Sequence, residues 1–162
     1  MSKLNCVSTS EQLTYNGEVF PSIVVFDSPP NYNAETWVQS HKHAIERSLQ
    51  LSGAVLFRGF PVTSAEDFDA FSAAFGYPDF TYAESLSNAV RINFTKRVFT
   101  ANEAPPDVEI FLHHEMAQTP VSPSRLFFYC HAAAEVGGAT PLCRSDQLFP
   151  KLTRETPEGA AE

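Results

Sequence analysis

From residue 105 to residue 143 prolines and glycines divide the sequence into separate runs. Pro105 and Pro106 open the stretch, Pro120 and Pro123 break its middle, and Gly137-Gly138 divide its end. Proline removes a backbone donor and glycine favours turns, so the runs between them are short and bounded. Residues 108–116, 126–130 and 139–143 then read as strands. The first of them ends in Phe111-Leu112-His113-His114-Glu115-Met116. On a strand, side chains at i and i+2 share a face, so His113 and Glu115 converge while His114 points away. On a helix the two would diverge. Imidazole with carboxylate is the donor set of a non-haem iron site with open coordination positions.

The N-terminal half has a different texture. Residues 19–26 form a β-rich run closed by Asp27-Ser28-Pro29-Pro30. Residues 33–51 follow with Val38, His41, Ile45 and Leu49 at helical spacing, and Gly53 is placed to stop that helix. His41 lies on its apolar stripe and His43 among charged neighbours; both are read as structural or solvated. Residues 54–58 form a short buried strand ending at Gly59, with Arg58 at its exposed end. Thr63-x-x-Glu66 suggests a capping box, and Phe68, Phe71 and Phe75 give the next helix an apolar stripe that reads as core. Residues 91–100 alternate as a strand would. Two helices followed by closely spaced strands suggest a β-sandwich or barrel with helices packed outside. At the end, Thr156, Pro157 and Glu158 are the cap, first-turn proline and acid of a helix start. That helix would run only about one turn before residue 162, as in a chain cut inside an element.

Composition excludes several classes of function. A chain of 162 residues suffices for one domain with a substantial core, and its 14 phenylalanines foretell an aromatic interior. A net charge of −8 gives no electrostatic reason to bind nucleic acid or an anionic membrane. No apolar run approaches the roughly 20 residues of a membrane span, and the first residues hold no signal-peptide core. Cys6, Cys130 and Cys143 lack CxxC spacing and read as reduced thiols, so the expected location is cytoplasmic.

Several motifs occur in one order: RVFTANEAPP at 97–106, HHEMAQ at 113–118, PSRLFFYC at 123–130, and GGATP at 137–141. In this order, from about Ser52 onward, the chain resembles the taurine dioxygenase / clavaminate synthase-like family of iron(II)- and 2-oxoglutarate-dependent oxygenases, closest to its clavaminate synthase-like branch. The resemblance implies an α+β, mainly β fold, a double-stranded β-helix (jelly roll) with flanking helices. Residues 1–162 would be a single domain, the N-terminal portion of such an oxygenase. It implies that His113 and Glu115 are two of three protein ligands to iron, and that the Thr140 hydroxyl hydrogen-bonds 2-oxoglutarate. Arg91 matches an arginine that precedes the RVFTANE stretch and is assigned to substrate binding. Glu84-Ser85-Leu86-Ser87 stands where relatives tend to be glycine-rich, so the substrate, a small organic molecule, is left open.

The family's distal iron histidine and its 2-oxoglutarate-binding arginine lie well beyond the GGxT motif. The expectation is therefore a C-terminally incomplete fold and a chain inactive alone, with His131 structural rather than a substitute ligand. Two other readings stay open. One is a non-enzymatic, metal-free binding module derived from the same fold. The other is a mononuclear zinc hydrolase, which HEXXH spacing does not support.

Overall fold

A computed structural model describes residues 3–27, 31–80, 91–101, 105, 107–117 and 119–155. Its best-formed part is a βαβ unit. Strands β1 (Cys6–Val7), β2 (Leu13–Tyr15), β3 (Glu18–Phe20) and β4 (Ser22–Val25) precede helix α1 (Ala34–Ser52), strand β5 (Val55–Arg58) and helix α2 (Ala65–Ala73). A third helix, α3 (Ser145–Glu155), comes much later. The main sheet has the order β1-β4-β5. β4 pairs antiparallel with β1, and parallel with β5 in the register Val24 to Phe57. Parallel neighbours need a crossover, and α1 supplies it. β2 and β3 form a separate hairpin, Leu13 opposite Phe20, turned by Asn16-Gly17 with both residues at positive φ.

The sequence rules act locally as expected in this half. Asn33 caps α1 by accepting from the Thr36 amide at 2.9 Å. Gly53 ends it in the left-handed region at φ +81°, its amide donating to the Leu49 carbonyl. A Cβ at Gly53 would also stand 3.4 Å from the Arg144 side chain. Gly53→Ala is therefore expected to lower stability by about 1–2 kcal/mol, checked by urea unfolding. The capping box of α2 is one residue later than the spacing suggested. Ser64 accepts from the Asp67 amide while the Asp67 carboxylate accepts from the Ser64 amide. Thr63 adds its own amide and hydroxyl to Asp67, and these donors hold the carboxyl below the usual range.

The core lies between the sheet, α1 and α2. Val24 and Val38 are fully buried, joined by Ile45, Trp37, Phe71 and Phe75. Around them the rings of Phe26, Tyr32, Phe57 and Phe60 meet largely edge to face, at centroid separations such as 4.9 Å for Phe26–Tyr32 and 4.8 Å for Trp37–Phe60. His41 belongs to this packing. It stacks on Trp37 at 4.3 Å and donates from Nδ1 to the Trp37 carbonyl, while His43 is exposed.

The Tyr32 hydroxyl is buried with no hydrogen-bond partner among the described residues. Burial, and secondarily the charge on Asp67, push this phenol up to about 12 from 10.0. The unfolded chain ionises first, so stability falls as pH rises from about 10 to about 12. Tyr32→Phe is expected to flatten that alkaline loss. At pH 7 it should cost nothing, because an unsatisfied group leaves the core. Denaturant midpoints at pH 7 and pH 11 check both statements.

The second half departs from the sequence reading. None of the expected strands at 91–100, 108–116, 126–130 and 139–143 forms a ladder among the described residues. Residues 91–100 instead fold back on themselves through one bridge, Asn93 to Phe99, with Phe94 donating to the Val98 carbonyl at 2.8 Å. Val108, Ile110, Phe111, Leu112, Leu126 and Phe128 are all about half exposed or more. The pattern of a buried strand is present, but a strand exists only where another backbone pairs with it. The described architecture is accordingly mixed α/β with few strands.

Helix α3 was not foreseen. Asp146 in its first turn and Arg154 in its last suit the helix dipole, and Leu148 and Leu152 share a face; Pro150 obscured that signal. The helix start expected at Thr156 lies outside the described residues, as does the 84–87 loop. No helix among the described residues is long and apolar enough to cross a membrane.

Candidate metal centre

The 91–101 hairpin is fixed to the core before it reaches the histidines. Arg97 pairs with Asp69 on α2 at 3.3 Å and with Asp79, and the Thr95 hydroxyl also donates to Asp69. Val98 is buried beneath. This anchoring places Arg91 and the carbonyls of Thr100 and Ala101 at one edge of the molecule. The Arg91 guanidinium donates from Nη1 to both carbonyls, lies 5.5 Å from the Phe99 ring centroid, and donates from Nη2 to Glu115 Oε1 at 3.1 Å.

Glu115 opens a turn over residues 115–117, where the Ala117 amide donates to the His114 carbonyl. Met116 sits in the left-handed region at φ +61° yet is only 3 % exposed. A non-glycine residue there costs roughly 1–2 kcal/mol, and burial of the Met116 side chain offsets it. The turn thus brings the Glu115 carboxylate back toward His113. His113 Nε2 stands 3.9 Å from Glu115 Oε2, with His113 mostly exposed and Glu115 largely covered.

The second nitrogen of His113 settles its tautomer. Nδ1 lies 2.7 Å from the Phe111 carbonyl oxygen, which can only accept, so Nδ1 carries the proton in this contact. The ring's other nitrogen, Nε2, lies on the side of Glu115. His114 points elsewhere, its Nε2 2.6 Å from the Ser145 hydroxyl at the start of α3. The pair converges although its segment has no ladder; the turn at Glu115 does the work assigned to strand alternation. Among the described residues no third His, Cys, Asp or Glu joins the two.

Thr140 and this pair do not line one cavity. Thr140 lines an open cavity of about 1940 Å³ between the aromatic core and residues 123–129; neither His113 nor Glu115 lines it. That volume exceeds the roughly 300–1,000 Å³ of formed ligand pockets, so the cavity is a gap between layers. The glycines before Thr140 are nonetheless specific. Both have positive φ, and a Cβ on Gly138 would come within 2.7 Å of the Ala134 Cβ. His131 is exposed, its ring 6.2 Å from Tyr129. Cys6, Cys130 and Cys143 are free and exposed.

The sequence reading missed the partner that Arg91 takes. It assigned Arg91 to substrate, whereas the side chain reaches Glu115 itself. Nothing in local spacing could show this, since the two residues are 24 positions apart.

Comparison with known proteins adds the family. The model of the taurine catabolism dioxygenase TauD, TfdA family matches residues 20–161, reaching further toward the N-terminus than the motifs alone suggested. The chain is 39 % identical to the clavaminate synthase-like protein At3g21360 of Arabidopsis thaliana, over 98 % of this chain and 50 % of that protein. It is 31 % identical to the dapdiamide synthesis protein DdaC of Enterobacter agglomerans, over 70 % of this chain and 34 % of that one. The chain thus spans half the length of the first relative and about a third of the second is matched. A match covering most of the chain, with the His113-x-Glu115 motif inside it, places this chain in the taurine catabolism dioxygenase TauD, TfdA family.

Proposed function

We propose that this chain is the N-terminal portion of an iron(II)- and 2-oxoglutarate-dependent dioxygenase that oxidises a small organic substrate, on a jelly-roll domain. The observation that supports it most is the His113–Glu115 pair. An imidazole held through Nδ1 by the Phe111 carbonyl has its Nε2 3.9 Å from a carboxylate oxygen, and imidazole with carboxylate is a donor set that suits iron(II). Metal bonds of about 2.0–2.2 Å require the pair to close slightly around an ion. Bound iron would supply the oxygen chemistry, with 2-oxoglutarate as the reductant that becomes succinate.

The chain's own residues have other tasks. His113 and Glu115 hold the metal, and Glu115 also neutralises part of its charge. Thr140, an exposed residue, is the proposed contact for 2-oxoglutarate. The exposed apolar face at 108–128 is proposed to be covered when the jelly roll is complete, which would also exclude water from the pair. With two protein donors together among the described residues, this chain by itself is proposed to bind iron weakly and to turn nothing over.

A second reading is a metal-free binding module on the same fold. It is favoured by the Arg91–Glu115 ion pair, in which the carboxylate already has a cationic partner. Anaerobic Fe(II) titration of the purified chain, followed by succinate measurement on adding oxygen, decides. The iron reading expects one weakly bound Fe(II), tightened by 2-oxoglutarate, and no succinate above buffer. Zinc held in preference, or no metal at all, would overturn it. Succinate release at the rate of a full-length relative would overturn the inactivity of the chain alone.

A further inference from the structure

Resting on the iron reading above, we propose that Arg91 is a positioning residue that presents Glu115 to the metal through one oxygen. The guanidinium is held from behind. Nη1 donates to the carbonyls of Thr100 and Ala101, and the planar group sits against the Phe99 ring. Those anchors leave Nη2 aimed at Glu115 Oε1 at 3.1 Å, with both side chains largely covered, at 15 % and 18 % exposure. The other oxygen, Oε2, is the one facing His113 Nε2. One carboxylate oxygen is thus tied to a fixed donor, and the other is the one on the side of His113.

Two effects of Arg91 oppose one another. Its positive charge repels a dication near Glu115, whereas its fork removes the freedom of the carboxylate to rotate or to chelate through both oxygens. A lysine separates them. It keeps the charge, but a single ammonium on a flexible stem cannot hold two carbonyls and a carboxylate in one plane. Partners that orient metal ligands typically contribute 10–100-fold in affinity. The orientation role therefore predicts a loss of affinity in Arg91→Lys, where a purely electrostatic role predicts none.

The test uses Co(II) as the probe, because its visible absorption reports coordination as well as occupancy. Wild-type chain, Arg91→Lys and His113→Ala are titrated with Co(II), and thermal melting confirms that each is folded. Arg91→Lys is expected to bind Co(II) roughly tenfold more weakly, with a changed visible band as Glu115 gains a second oxygen contact. His113→Ala is expected to show no band. Should Arg91→Lys fail to fold, Phe99→Leu loosens the guanidinium without altering charge and is expected to weaken binding in the same direction. Unchanged affinity and spectrum in the folded variant would overturn the positioning role while leaving the iron reading intact. No Co(II) band in the wild-type chain would overturn the ligand pair itself and this role with it.

Discussion

His113→Ala is expected to reduce Fe(II) affinity by more than about 100-fold, while His114→Ala leaves it within about twofold. The two histidines are adjacent and equally exposed to view in the sequence, yet their rings serve different neighbours. His113 presents Nε2 to Glu115, with Nδ1 donating to Phe111; His114 meets Ser145. Removing a partner that merely orients a ligand already costs 10–100-fold, so removing the ligand itself must cost more. Anaerobic Fe(II) titration of the two variants, at matched thermal stability, is the measurement. Equal losses in both would mean that the pair seen here is not what holds the metal.

Phe71→Ala is expected to cost about 3–5 kcal/mol, a large part of the roughly 5–15 kcal/mol by which domains are stable. Phe71 is 5 % exposed and touches Phe57, Phe60 and Phe75 at ring separations of 5.2, 5.6 and 5.6 Å. Its removal opens a cavity at the junction of β5 and α2, where neighbours on the sheet side cannot collapse inward. The chain's single tryptophan, Trp37, lies in the same cluster, so its fluorescence follows this core in a urea titration. Phe68→Ala should cost less, because Phe68 is half-buried and stacks chiefly on Tyr129.

What could be read without coordinates follows the range of the interactions. Asn33, Gly53 and the spacing of Val38 and Ile45 act within a few residues, and α1 emerges within one residue of its expected ends. The capping box slipped by one because Thr63 and Ser64 both can serve, and geometry gives the cap to Ser64. The strands at 108–116 and 126–130 carry the right residues. Their formation depends on partner backbone that local pattern does not contain, so among the described residues they form no ladder. The site divides along the same line. His113 and Glu115 stand close through the turn at residues 115–117 and not through the strand on which the i, i+2 argument depended, and the Arg91 contact joins positions 24 apart.

Arg144 reaches back 93 positions to donate to the Leu51 carbonyl at 2.8 Å, beside its bidentate pair with Asp146, whose carboxyl it holds down at about 2. The intervening chain thus leaves and returns at one point, the end of α1, and is tacked down between by Arg97 on Asp69 and Tyr129 on Val62. Between tethers, loop length is thermodynamically cheap: each doubling adds only about 0.6 kcal/mol of closure entropy. Length changes between these tethers therefore cost the βαβ unit little, whereas changes at Arg97, Val98, Phe127 or Tyr129 would remove contacts made to it. Chain length on either side of His113 and Glu115 can thus vary at small entropic cost on a core that stays the same.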